Sequence, residues 1–448
     1  MGSSERGVEV VVKRTEVVAP FVPLTVQRLP MLNLDLLVPP SDIGILFCYN
    51  AGSMNNEVMI SMVKRGLSQV LVPFYSLAGE VVLNNEGEPE ILCNNHGVDF
   101  VQAIADMDLQ CLDLHKLDVS VYPCLFPVRK RGVLSVQVTE MRCGALVICC
   151  SFDHRVADPH SVSIFLVAWA YMTRSKHCGD DKIASVSSPD YLRSLLHPRN
   201  ISHPDATIDN NYVLFEAASS DSPQAPISAR QIQHLQSLAG PGRTKFESFS
   251  ALLWKLLAKA ATEDEKRCKL GIVVNGRNII GKSTNNYFGN VLSVPYINAS
   301  VDELKSMALS ETADKVRACV ESAANEEHFR GLVDCIETHR PCRAMYAIFS
   351  FHPSDTEDVA VVISSGQLFP VSKLNFGWGH PSFVSFLSPW RGNTGFVMPM
   401  PSPTNNGDWI VFMHLCEKHL DFLEKEAPHF FKPFRLSPLE KFGEESKL

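Results

Sequence analysis

The stretch from Ala145 to Met172 constrains this chain most. Ala145-Leu146-Val147-Ile148-Cys149-Cys150 reads as a buried strand. A polar turn follows, Ser151-Phe152-Asp153-His154-Arg155-Val156-Ala157-Asp158-Pro159-His160. Val162, Phe165, Leu166 and Trp169 then recur at helical spacing, which predicts a helix from Ser161 to Met172. Asp158-Pro159 is a good start for that helix. The carboxylate can accept an N–H of the first turn, and proline wastes no donor there. His154 is thus expected at a strand end, on a turn braced by the next helix, where an imidazole can be held rigidly and still reach a cleft.

The rest of the chain alternates strand and helix signals, which points to α/β or α+β layering. Val133–Val138 alternates and Cys143-Gly144 turns, so 133–151 reads as a hairpin. Residues 53–78 are expected as a helix carrying Met59, Ile60, Val63, Leu67 and Val70; Ala229–Leu238 and Ser248–Ala261 are expected as two more. The segment 178–227, rich in Ser, Pro, Asp and Asn, reads as a long crossover with one short strand signal at Tyr212–Glu216.

At 448 residues the chain has room for two or three domains. Its 41 basic and 49 acidic residues leave a net charge of −8, without the basic excess a nucleic-acid binder needs. The apolar runs, such as Ala145–Cys150 and Ile164–Ala170, fall far short of a membrane span. Thirteen cysteines with no C-x-x-C pair read as reduced thiols of an intracellular protein. The N-terminus shows no secretory h-region. The last residues, Ser446-Lys447-Leu448, match a peroxisomal address, which implies an import receptor as partner; the alternative is the cytosol.

An H-x-x-x-D spacing is weak by itself. His177–Asp181 repeats it in a charged loop with no strand before it or helix after it. From the residues alone His154 is either a hydrogen-bonded turn histidine or a catalytic base. Leu374-Asn375-Phe376-Gly377-Trp378-Gly379-His380 puts two glycines around a tryptophan and by itself reads as a structural loop. His414-Leu415-Cys416-Glu417-Lys418-His419 looks like metal ligands. On a helix, however, positions five apart diverge by about 140°, so it is read as a helix and no metal is expected.

Taken together, His154-x-x-x-Asp158, Phe249–Lys255, Asn275-Gly276-Arg277, Tyr287-Phe288-Gly289-Asn290 and Phe376-Gly377-Trp378-Gly379 resemble the BAHD acyltransferases of plants, over essentially the whole chain. The resemblance implies two chloramphenicol-acetyltransferase-like domains with a central solvent tunnel. They would be 1–200 (with a crossing segment near 370–396) and 226–448, joined by a linker at 201–225. It implies an acyl-CoA donor as co-substrate, a small aromatic alcohol as acceptor, no further cofactor, and a monomer. His154 would be the general base, acting in one step with no covalent enzyme intermediate. Asp158 would be structural, paired with Arg277. Ser364 and Ser365 would be candidate oxyanion donors, and Ser250 would contact CoA. Asn375, Gly377, Trp378 and Gly379 would form a structural element remote from the chemistry. Asn375 stands where the family carries aspartate.

Within the family, the hydroxycinnamoyl–shikimate branch has an S-W-x-R run whose arginine grips a carboxylate. Here the aligned stretch is Ser365-Gly366-Gln367-Leu368, which implies a neutral acceptor. The run Leu29–Pro40 and the Ser151–Arg155 form of the motif resemble the coniferyl alcohol acyltransferase branch, which transfers acetyl or a related acyl group. The alternatives are hydroxycinnamoyl or benzoyl transfer to another alcohol or to an amine, and a non-catalytic partner protein; the presence of His154 disfavours the last.

Overall fold

Alternation at Leu134–Met141 and the apolar run after it form the central hairpin of a sheet, joined by a turn in which Gly144 takes a φ of 82°. The computed structural model describes residues 9–38, 40–112, 122–175, 188–191, 196–199, 224–281, 284–340, 358–387, 394–404 and 406–431. The Tyr212–Glu216 strand signal, His177–Asp181 and the Ser446–Leu448 tripeptide lie outside these residues.

The first strands are β1 (Val10–Val18), β2 (Gln27–Pro30), β3 (Asp42–Tyr49), β4 (Glu80–Leu83), β5 (Pro89–Cys93), β6 (Val98–Ala105), β7 (Leu134–Met141) and β8 (Leu146–Asp153). There follow β9 (Gln224–Ile227), β10 (Arg267–Ile272), β11 (Val274–Asn275), β12 (Leu292–Ser293), β13 (Tyr296–Ser300), β14 (Asp358–Ile363), β15 (Phe383–Leu387), β16 (Gly395–Pro401) and β17 (Trp409–His414). Two six-stranded sheets result, ordered β1-β6-β7-β8-β3-β15 and β13-β10-β14-β16-β17-β9. The late strand β15 leaves the second sheet and pairs antiparallel with β3, Leu387 opposite Gly44. β9 already belongs to the second sheet, so that sheet starts inside the span expected as linker.

The helix Pro159–Arg174 buries Val162, Phe165, Leu166 and Trp169 and packs on the helix Asn56–Val70. The crossing is close: a Cβ at Gly66 would sit 2.1 Å from Thr173 Oγ1, so only glycine fits there. Trp169 Nε1 donates to Val63 O across it at 3.0 Å.

Three helix limits differ from the sequence reading. The helix expected over 53–78 ends at Val70, and a separate 3₁₀ turn spans Tyr75–Ala78. Pro73 lies between them and cannot continue an α-helix. The helix expected from Ser248 starts at Lys245, because Thr244 and Glu247 form a capping box. The stretch His414–His419 is not one helix. His414 ends β17 and the helix Glu417–Glu426 begins after it, with Cys416 Sγ 3.0 Å from His419 Nδ1. Among the described residues no helix is long and apolar enough to cross a membrane, and the described cysteines are free.

Candidate active site

The turn after β8 is pinned from several directions. His154 N–H donates to Ser41 O at 3.0 Å, and Val156 N–H closes onto Asp153 O. Buried Asp153 accepts from the Arg155 main chain and guanidinium, 3.0 and 2.6 Å, and lies 3.1 Å from Arg129. Arg129 also grips Asp42 at 2.7 Å. From the second half of the chain, Asn290 Nδ2 donates to the carbonyls of His154, 2.9 Å, and Arg155, 3.1 Å.

Asp158 caps the helix by accepting the Ser161 N–H at 2.9 Å. Its two oxygens also meet Arg277 at 2.6 and 3.1 Å, and the Val291 N–H at 3.2 Å. Asp158 is 0% exposed and Arg277 1%. Arg277 spends its remaining donors on Ser161 Oγ and on the carbonyls of Tyr287 and Gly289, so one guanidinium ties two loops of the second half to the start of this helix. Burial raises the Asp158 pKa, but the charge and hydrogen bonds of Arg277 outweigh it and hold the carboxyl below its ordinary range. Asp158 is fully occupied as cap and ion-pair partner.

The His154 ring is half-buried, its Nδ1 sealed and without a hydrogen-bond partner. An aspartate–histidine relay is therefore not formed. Burial pushes the imidazole pKa down, against the opposing pull of its own backbone and of Asp158 and Asp153, so the ring is neutral near pH 7. A neutral, rigidly mounted, half-buried imidazole is equipped to take a proton.

The second motif gathers at the other end of the same helix, about 24 Å along at 1.5 Å per residue. Asn375 Oδ1 accepts the N–H groups of Gly377 and Gly379, 2.8 and 3.2 Å, and both glycines take positive φ, 122° and 113°. Phe376 packs edge-on to Trp169 at 5.1 Å, and Trp378 edge-on to Tyr49 at 5.8 Å. Arg174 donates to the Asn375 carbonyl, not to its side chain. The side-chain oxygen thus does the work here without needing a charge. Asn375→Ala should lower the urea midpoint by the equivalent of about 1–2 kcal/mol, while Asn375→Asp, which keeps the acceptor, should stay within about 0.5 kcal/mol of wild type.

Other expected site residues are placed differently. Leu368 is 95% exposed, at the tip of a turn closed by Phe369 N–H to Gly366 O. The middle side chains of such a turn point outward, so Leu368 lines no pocket and the acceptor argument drawn from it does not hold. Ser250 is fully buried within the helix Lys245–Ala260, its Oγ sealed and unpartnered, so CoA does not reach it. Ser364 is buried just past β14, and Ser365 is exposed. A cavity of about 450 Å³ lies beside β9 and β17, lined by Ser228, Ser382, Asp408, Trp409 and His429 among others; His154 is not among its walls. Asp35 and the Asp153–Arg155–Arg129–Asp42 cluster were not singled out from sequence. Asp153 and Arg155 flank His154, and that adjacency was the available signal.

Two six-stranded sheets linked by the crossing strand β15, with an imidazole on the turn after β8, fit the two-domain fold that the motifs imply. The model of the Transferase family, the BAHD acyltransferases, matches residues 8–430, and the chain belongs to that family. It is an acyl-CoA-dependent acyltransferase. It is 25% identical over 447 residues to the shikimate O-hydroxycinnamoyltransferase of Nicotiana tabacum, covering 92% of this chain and 98% of that one. It is 24% identical over 456 residues to anthranilate N-benzoyltransferase protein 3 of Dianthus caryophyllus, covering 94% and 99%. Among solved structures, vinorine synthase superposes with a TM-score of 0.72 at 18% identity, covering 96% of this chain and 100% of that one, so the fold is shared.

Proposed function

We propose that this enzyme transfers acetyl from acetyl-CoA to the side-chain hydroxyl of a neutral phenylpropanoid alcohol of the coniferyl type, with His154 as general base. The observation that carries the reading is the neutral, half-buried His154 on a turn held by both halves of the chain. His154 takes the hydroxyl proton as the alcohol oxygen attacks the thioester carbonyl. The tetrahedral oxyanion collapses, the C–S bond breaks, and the proton passes to the departing thiolate. No cysteine is needed as a nucleophile. Ser364 and Ser365 stay candidate oxyanion donors on family position.

Support for a neutral acceptor comes from the cations beside the base. Arg155 and Arg129 are both engaged by Asp153, and Arg129 also by Asp42, so their charges are balanced by neighbouring carboxylates before any acceptor arrives. Support for the coniferyl type comes from the Leu29–Pro40 and Ser151–Arg155 runs. Acetyl-, benzoyl- and coumaroyl-CoA should be offered against coniferyl alcohol, shikimate and spermidine, with products separated by liquid chromatography. Acetylated coniferyl alcohol is the expected product. Turnover of shikimate or spermidine with none of coniferyl alcohol overturns the acceptor assignment.

A further inference from the structure

We propose that Asn290 and Asp35 are positioning residues that orient the His154 ring by clamping the backbone of its turn; this rests on the reading of His154 as the base. Asn290 closes the Tyr287–Asn290 motif in the second half of the chain. Asp35 lies on the short helix Asn33–Leu36 near the other end of the sequence. Asn290 Nδ2 has three acceptors: His154 O at 2.9 Å, Arg155 O at 3.1 Å and Asp35 Oδ1 at 3.1 Å. Only a nitrogen can sit among three acceptors, so the amide orientation is unambiguous. Asp35 Oδ1 also accepts the Asn290 main-chain N–H at 2.8 Å, and its Oδ2 accepts the Leu32 N–H at 2.9 Å. Both side chains are buried.

The consequence for the ring is geometric. With its N–H tied to Ser41 O and its carbonyl tied to Asn290, His154 has both flanking peptide planes held. That sets the direction of its Cα–Cβ bond. The sealed Nδ1 makes no well-directed hydrogen bond, and the polar groups that pull on the ring include the main chain of His154 and Ala157, which belongs to the turn itself. Its aim therefore depends on the backbone clamp and on packing. Asn290 Oδ1 is itself buried and unpartnered, a cost that an apolar residue would avoid. The amide is thus explained by what its nitrogen holds, not by its own stability. Neither residue touches the reacting atoms; both act through residue 154.

The test compares wild type, Asn290→Ala, Asp35→Asn and His154→Ala. The substrates are the donor–acceptor pair turned over fastest in the screen above. Rates are expressed per CoA-binding site titrated by calorimetry, so unfolded protein does not count. For Asn290→Ala the expected result is a kcat lowered about 100-fold, the cost of misplacing a catalytic group by about 1 Å, with KM for the acyl-CoA within about threefold of wild type. Asp35→Asn turns an amide hydrogen toward one of its former N–H donors, and should lose roughly tenfold in kcat with KM unchanged. Where Asn290→Ala yields no CoA-binding protein, Asp35→Asn decides in its place. A wild-type kcat per binding site, or kcat and KM moving together, overturns the clamp. If His154→Ala keeps the wild-type rate, the base assignment falls first. If His154→Ala is inactive and Asn290→Ala is not, only the clamp falls.

Discussion

His154→Ala should lower kcat by roughly two to four orders of magnitude, the range a positioned general base supplies, while leaving KM for the acyl-CoA nearly unchanged. The ring donates no hydrogen bond to the pairs that hold the fold, since Asp158 and Arg277 satisfy one another without it, so the variant should melt close to the wild type. CoA thiol release, read with a thiol-reactive dye, measures the rate directly. The pH profile gives a second handle. A general base works only when neutral, so activity is lost as pH falls through its pKa. Burial lowers that pKa below the 6.5 of an ordinary imidazole, so the acid limb of kcat/KM should have its midpoint below 6.5, with activity flat above it until another group titrates. Equal rates for wild type and His154→Ala would leave only a binding role. An acid limb centred well above 6.5 would mean that the ring is not buried as described.

Much of this arrangement was legible because it is local. Strand, turn, cap and helix from Leu146 to Arg174 follow from a run of apolar residues, a D-P pair and one helical stripe, all within one stretch of chain. The limits that moved did so for reasons equally local but overlooked: Pro73 stops a helix, and the Thr244–Glu247 box starts one early. The long-range contacts are another matter. Periodicity does not disclose that Asp35 and Asn290 meet under the His154 carbonyl, because the two are far apart in sequence and the motif runs that contain them say nothing of their pairing. The Asp158–Arg277 pair came from family likeness, not from spacing. Leu368 and Ser250 show the opposite error. Family likeness assigned them contacts that their exposure contradicts, since one points into solvent and the other into the core. Residue type along a chain reports what a side chain can do, and only the packed backbone decides what it can reach.

The Arg277–Asp158 pair should be the costliest single contact to break. Arg277→Ala leaves a carboxylate at 0% exposure with two main-chain N–H donors and no counter-charge, and removal of one partner of such a buried pair costs about 3–5 kcal/mol. It also strips the donors from the Tyr287 and Gly289 carbonyls, which adds to the loss. Asp158→Asn should cost less. Asparagine caps a helix about as well as aspartate, and Arg277 keeps Ser161 Oγ and the two carbonyls as acceptors. Urea denaturation should therefore rank wild type above Asp158→Asn, and Asp158→Asn above Arg277→Ala. Because the pair joins the start of the Pro159–Arg174 helix to loops of the second half, the loss should also reach the His154 turn and reduce kcat in both variants. The opposite ranking would mean that the carboxylate, not the guanidinium, is the group whose burial is compensated elsewhere. In that case the carbonyls and Ser161 would not be enough to hold Arg277, and the guanidinium would be the partner that depends on the pair.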